Sequence, residues 1–286
     1  MKILLATPAH GGQVCVGYHE SIVNTLMFFK TEYPGIVFEP KIISVALLPV
    51  ARDILASIVL NDPSYTHLLF IDADMGFKPE LIAKLIAFQE DVAGVIAPKR
   101  KFDYAAFHRV SATQPNPLTA RLIAADYVTD TDIITTTGAG EVRYEIRDGF
   151  LPMRRVGTGI LLIARRVLEK IKDRYPELWV EKTTAVHRDF GLEGGLLQCF
   201  QPVQDANGLY VGEDIAFCQR WVEGCGGKLW ALIDEPIVHI GQENFVGQYL
   251  HRLLAASRQT AAAPASAAAA PAAPLNRAQR RAMARG

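Results

Sequence analysis

The apolar run Leu68-Leu69-Phe70-Ile71 breaks directly into Asp72-Ala73-Asp74, and this junction constrains the fold more than any other stretch of the 286 residues. Four consecutive apolar residues read as a strand buried on both faces, the kind found in parallel sheets covered by helices. Two carboxylates cannot follow such a strand into a core, because a buried unpaired charge costs several kcal/mol. The strand therefore ends at an edge that faces a ligand or solvent, and two acids side by side call for a cation. On an extended backbone, residues i and i+2 share a face, so Asp72 and Asp74 would present both carboxylates to one partner.

Strand and helix patterns alternate around this point. Strands are expected near Ile3–Ala6, Val37–Val45, Leu68–Ile71 and Val92–Ala97, and helices near Tyr18–Lys30, Val50–Leu60 and Pro79–Gln89. Pro79 suits a first helical turn, and Asp62-Pro63 closes the helix before it. That alternation predicts an α/β fold: a mostly parallel, Rossmann-like sheet flanked by helices, with ligands bound beyond the carboxyl ends of the strands. Residues 98–155 read as loops and short strands, Val142–Ile146 foremost. Regular patterning returns with a strand at Gly159–Ala164, helices at Arg165–Lys172 and Asp214–Glu223, and a strand at Lys228–Ile233; Glu181–Gly208 is loop-rich. The expected division is one body over residues 1–250, with a nucleotide-side half at 1–97 and an acceptor-side half at 98–250. Residues 255–286 form an Ala/Pro-rich basic tail, expected to be flexible because it has little apolar surface to offset ordering entropy.

Half of the residues are apolar and 21% are charged, which suits a globular chain. No stretch approaches the length of a membrane span, and four scattered cysteines signal neither zinc nor a disulfide framework. A reducing cytoplasm is the expectation. Net charge is zero, yet the six arginines after Glu243 face no acid there, so residues 1–243 carry −6. The body has no basic stripe with interleaved aromatics, which argues against nucleic acid. The tail is a candidate for peripheral contact with an acidic partner or anionic membrane, or a solvated tail.

A second acidic signature, Gly212-Glu213-Asp214-Ile215-Ala216-Phe217, opens a helix, and His239 closes the strand Pro236-Ile237-Val238-His239. Each element has a plain structural reading. Asp-x-Asp is often a surface turn, acids favour any helix N-terminus, and a lone histidine is often structural. Together they supply the parts of a hard divalent-metal site beside a separate general base.

The order of these parts, with the Gly-rich turn Gly157-Thr158-Gly159 between them, resembles a GT-A-fold glycosyltransferase of the family 2 type. The resemblance covers residues 1–245 in motif order rather than close identity. It implies transfer of a sugar from a nucleotide-sugar donor, UDP-linked in preference to GDP-linked, to a hydroxyl of a glycan, a lipid-linked molecule or a protein. It also implies Mn²⁺ or Mg²⁺, which neutralises the diphosphate leaving group. Asp74 would be a direct metal ligand, and Asp72 would contact the ribose or reach the metal through water. His239 would be the imidazole ligand. Asp214 would be the base of an inverting displacement, and Glu213 would bind the acceptor.

For the nucleotide, the loop after the first strand, with Thr7 and Pro8, resembles the family's base and ribose pocket, and its glycines also suit a simple turn. Arg52 and Asp53 are candidates for the nucleotide or a solvated pair. Lys99 is a candidate for phosphate or acceptor, or part of a solvated basic run. Gly159 permits close approach to a sugar, or marks a bulge. Trp179, Trp221 and Trp230 read as packing, with one available to stack on a sugar. Two other functions share the composition. A sugar nucleotidyltransferase needs the same sheet and metal, but its Gly-rich opening followed by Arg and Pro-Lys is absent from residues 6–20. A non-catalytic nucleotide- or glycan-binding domain would have no use for the full acidic set.

Overall fold

The computed structural model describes residues 1–127, 135–138, 141–205 and 207–241. The expected tail and the end of the body beyond Gly241 lie outside the described residues. In chain order the strands are β1 (Lys2–Pro8), β2 (Val37–Ile43), β3 (His67–Ile71), β4 (Met75–Phe77), β5 (Val92–Val95), β6 (Thr135–Gly138), β7 (Glu141–Tyr144), β8 (Phe150–Met153), β9 (Ile160–Ala164), β10 (Trp179–Val180), β11 (Leu196–Leu197), β12 (Val203–Gln204), β13 (Tyr210–Val211), β14 (Leu229–Leu232) and β15 (Ile237–His239). The helices are α1 (Val16–Glu32), α2 (Leu48–Asn61), α3 (Pro79–Ala87), α4 (Tyr104–Ser111), α5 (Pro117–Ala124), α6 (Arg165–Arg174), α7 (Ala185–Asp189) and α8 (Glu213–Gln219).

Seven strands form one sheet in the order β2-β1-β3-β9-β5-β14-β8. β2, β1 and β3 are mutually parallel, as are β5 and β14, whereas β9 and β8 run antiparallel to their neighbours. The result is a mixed α/β architecture with a mostly parallel, Rossmann-like central sheet flanked by helices. The apolar runs of β1, β3 and β9 explain their central places, since each is buried nearly end to end. β2 carries Pro40 and several exposed residues and lies at the edge, where a missing donor leaves no ladder bond unmade.

The helix α2 is buried along its whole length from Ala51 to Leu60. One side lies on the sheet; the other is covered by residues 192–200. Leu197 N–H donates to Ser57 Oγ at 2.8 Å, and Asn61 Nδ2 donates to Gly195 O at 2.8 Å. Phe200 stacks on Phe217 with ring centroids 4.6 Å apart and meets Phe70 edge-on at 5.3 Å. Such pairs contribute about 0.5–1.5 kcal/mol each beyond their area. The stretch read as loop-rich is therefore the outer wall of α2, built from short ribbons. Residues 98–127, also read as loop, contain α4 and α5. No helix among the described residues is long and apolar enough to cross a membrane.

Candidate active site

Asp72, Asp74, Glu213 and Asp214 gather near the carboxyl end of β3, while Asp53 does not, and the backbone after β3 is a turn. Met75 N–H donates to Asp72 O at 3.1 Å, so Asp72 and Asp74 do not lie on an extended strand as the i, i+2 argument assumed. The chain reverses through Ala73 into β4, which pairs antiparallel with β15 and sets His239 opposite Met75. Ile240 N–H then donates to Asp74 O at 2.8 Å, and Cys15 N–H to Ala73 O at 2.8 Å. The turn is thus pinned on one side by the last strand and on the other by the loop after β1.

Asp72 and Asp74 are neutralised by different cations. Asp72 faces Arg52, whose Nη2 lies 3.2 Å and 3.4 Å from its two carboxylate oxygens. Arg52 is only 2% exposed, its guanidinium 5.4 Å above the Phe70 ring, and its Nε and Nη1 make no hydrogen bond. Nε does lie 3.6 Å from Glu213 Oε1, so one buried guanidinium spans Asp72 and Glu213. Burial pushes the Asp72 carboxyl above its ordinary range; Arg52 and His239 oppose that and Asp74 adds to it. Asp74 instead meets the exposed Arg100, Nη1 to Oδ2 at 2.8 Å. Arg100 belongs to the basic run Lys99-Arg100-Lys101, and nothing in that local pattern separates it from Lys99. The structure does: Lys99 Nζ binds Asp126 at 3.0 Å and closes the neck of the 98–127 segment.

His239 Nδ1 lies 2.7 Å from Pro98 O, and a carbonyl only accepts, so Nδ1 carries the proton. In the neutral ring, Nε2 then presents a lone pair to Asp74 Oδ2 at 3.5 Å. Two acceptors that face each other are stabilised by a cation or proton between them. An imidazole fixed through its other nitrogen by a backbone carbonyl is also a common metal-ligand arrangement. Asp74 and His239 therefore fit a divalent cation that would displace Arg100. Among the described residues no cluster of three or more His, Cys, Asp or Glu groups is assembled as a complete site, so remaining ligands would have to come from water and substrate.

Asp214 lies in the first turn of α8, its Oδ1 accepting from Ile215 N–H at 2.8 Å. Gly157 and Gly212 lie next to it: a Cβ at either would stand 3.8 Å and 3.6 Å from its oxygens, in ordinary contact. Gly159 O accepts Asp72 N–H at 2.8 Å, so the Gly157-Thr158-Gly159 loop joins the Asp72 turn to the Asp214 helix. The tight approach at Gly159 is to protein, since a Cβ there would sit 2.7 Å from Met75 Cε. Thr7 is fully buried with its hydroxyl 2.5 Å from Tyr18 Oη, and Pro8 ends β1 beside it. Trp221 and Trp230 are core, and Trp179 is covered by Lys172, whose Nζ stands 3.6 Å from the ring centroid.

The structure separates Asp53 from its neighbour Arg52. Asp53 is fully buried on the other side of α2, accepting from Phe200 N–H and Gln201 Nε2, both at 2.7 Å. Burial pushes its carboxyl from 3.8 up to about 7, against those hydrogen bonds and the charge of Arg220. The folded state holds this proton more tightly than the unfolded chain, so stability is fullest below the unfolded pKa and declines as pH rises toward about 7. The decline amounts to roughly 4 kcal/mol at most. Asp53→Asn is expected to remove that slope, read as urea-unfolding free energies at about pH 5 and about pH 8. An undiminished slope in the variant would place its origin elsewhere.

No protein-family model matches the chain, and no curated protein matches it as a relative. The solved structures similar to the chain include two of low identity. A197 from STIV is 16% identical with a TM-score of 0.42, the match covering 87% of this chain and 97% of that one. A putative glucose-1-phosphate thymidylyltransferase from Bacillus anthracis, in complex with a sucrose, is 11% identical with a TM-score of 0.36, covering 94% and 97%. At these scores neither carries an assignment, and the case for a function rests on this chain's own residues.

Proposed function

We propose that the chain is a GT-A-like, metal-dependent glycosyltransferase that moves a sugar from a nucleotide-sugar donor, UDP-linked by preference, to an acceptor hydroxyl with inversion. The observation that supports it most is the pairing of Asp74 with the Nε2 face of His239 at 3.5 Å, exposed to exchange through Arg100, at the carboxyl end of β3. A bound Mn²⁺ or Mg²⁺ would supply charge neutralisation for a departing diphosphate. The protein's own residues would do the rest. The exposed loop after β1, His10 to Gly12, would bound the nucleoside in place of Thr7 and Pro8, which are buried in β1 itself, and Arg52 would hold Asp72 toward the ribose while steadying Glu213 for the acceptor.

In the reacting complex, the acceptor oxygen attacks the anomeric carbon while the bond from that carbon to the diphosphate oxygen breaks. The acceptor's proton passes to a carboxylate oxygen of Asp214, which Gly157 and Gly212 flank without a side chain of their own. Lys99 contributes by closing the neck of the neighbouring segment rather than by touching phosphate, a role supported by its bond to Asp126.

The direct test incubates the protein with UDP-sugars and Mn²⁺ and measures free UDP. Slow metal-dependent release is expected even without acceptor. Binding without release would favour a non-catalytic module. Pyrophosphate production from a nucleoside triphosphate and a sugar 1-phosphate would favour a nucleotidyltransferase.

A further inference from the structure

The helix α5 is built inside out. Its alanines face inward, Ala120 fully buried and Ala124 8% exposed, while Leu118, Leu122 and Ile123 stand 72%, 65% and 58% exposed. A surface helix ordinarily turns its large apolar residues to the core, and clustered exposed ones mark an interaction surface. Here the inversion is local and has a neighbour of the same kind. α4 packs against α5 and presents Tyr104 at 67% exposure. An aromatic knot joins them: Phe102 meets Tyr104 at 4.7 Å and Phe107 at 5.4 Å, with the Arg121 guanidinium 5.8 Å over its ring.

The charge around this surface is as uneven as its hydropathy. From Lys99 to Asp126 there are five Lys and Arg residues and two acids; Lys99 is paired with Asp126 and Arg100 with Asp74, and the cations outside those pairs are Lys101, Arg109 and Arg121, whereas residues 1–243 as a whole carry −6. Lys101 precedes the knot, Arg109 lies in the last turn of α4, and Arg121 stands between Leu118 and Leu122 on α5. Large apolar side chains interleaved with cations on a short helical pair match a bilayer interface, where apolar groups enter the acyl boundary and cations meet anionic headgroups. The chain's own tail is a poor occupant, because after Glu243 it carries six arginines and no acid.

We propose that α4 and α5 form a membrane-docking element for an anionic lipid surface. The element is tied to the candidate site at its base. Pro98 bridges to Tyr127, Lys99 binds Asp126, Arg100 binds Asp74, and Pro98 O holds His239. Docking would therefore set the site beside the bilayer; that this favours a lipid-linked acceptor rests on the function proposed above, whereas the docking itself does not.

Flotation of the full-length protein with phosphatidylcholine vesicles, with and without roughly one-third phosphatidylglycerol, tests the proposal. The protein is expected to float with the anionic vesicles and to be depleted from them by added salt. Leu118→Ser combined with Leu122→Ser, and separately Arg109→Glu combined with Arg121→Glu, should each reduce the bound fraction at least about fivefold. Both pairs are on exposed positions, and an unchanged melting temperature would show that the fold persists. Serine in place of Arg277, Arg280 and Arg281 should leave most of the binding intact. Absence of binding to anionic vesicles, equal binding by the α5 variants, or loss only in the tail variant would overturn the proposal. So would a wild-type dimer in sedimentation that the leucine variants dissociate, since the face would then belong to a second copy. None of these readouts depends on sugar transfer, so a failed transferase assay leaves the docking result standing, and the converse holds.

Discussion

Asp74→Ala is expected to weaken Mn²⁺ binding at least about tenfold in the absence of any nucleotide, and His239→Ala to do the same. The two side chains supply the oxygen and nitrogen donors that face each other at 3.5 Å. The stability cost should be small, because the Arg100–Asp74 pair is exposed and such pairs contribute only about 0–1 kcal/mol. Asp72→Ala should behave differently. It strips the buried Arg52 of its hydrogen-bonded carboxylate and leaves a guanidinium with only Glu213, at 3.6 Å from Nε, as a counter-charge and no hydrogen bond to Nε or Nη1. A loss of stability is expected there, of the size that follows a broken buried ion pair, about 3–5 kcal/mol. Calorimetric titration with Mn²⁺ alongside urea unfolding separates the two outcomes. Unchanged metal titration in both Asp74→Ala and His239→Ala would remove the metal assignment. A weakened titration confined to Asp72→Ala would move the metal to the Arg52 side of the turn.

These contrasts come from tertiary structure, and they mark how far the sequence could be read. The strands β1, β3, β5, β9 and β14 and the helices α1, α2, α3, α6 and α8 were legible because each carries a continuous apolar run or a helical period bounded by Pro, Gly or Asp. Their order also placed Asp72, Asp74, Glu213, Asp214 and His239 at one end of the sheet. The reversed direction of β9 was not legible, since Ile160–Ala164 would look the same in either orientation. The short helices α4 and α5 were missed for a related reason: α5 exposes the residues that a periodicity argument would bury. Arg52 and Asp53 show the same limit at single-residue scale. Adjacent on a buried helix, they point about 100° apart, and only the packing of residues 199–201 against one side decides that Arg52 reaches the site while Asp53 binds the wall. Arg100 carried no signal beyond its charge, because its pairing with Asp74 depends on how a long connection returns to the sheet.

Asp214→Asn should have the largest kinetic effect. The substitution preserves shape, and the amide oxygen of asparagine can still accept from Ile215 N–H, so folding should be retained. It removes the only function assigned to this carboxylate, acceptance of the acceptor's proton during attack on the anomeric carbon. General-base catalysis contributes about 10²–10⁴-fold, and turnover should fall by that much while donor and Mn²⁺ affinities persist. Glu213→Gln provides the comparison. Its carboxylate stands 3.6 Å from Arg52 Nε, so the variant should disturb a buried charge balance and acceptor affinity before it disturbs the chemical step. The assay needs acceptor present and hydrolysis measured separately, because water attack on the donor has no required proton acceptor in the same position. A transfer rate in Asp214→Asn close to that of the unmodified protein would assign Asp214 to the helix terminus alone. Inversion by direct displacement would then lose its base, and a retaining route through the donor face would become the mechanism to test.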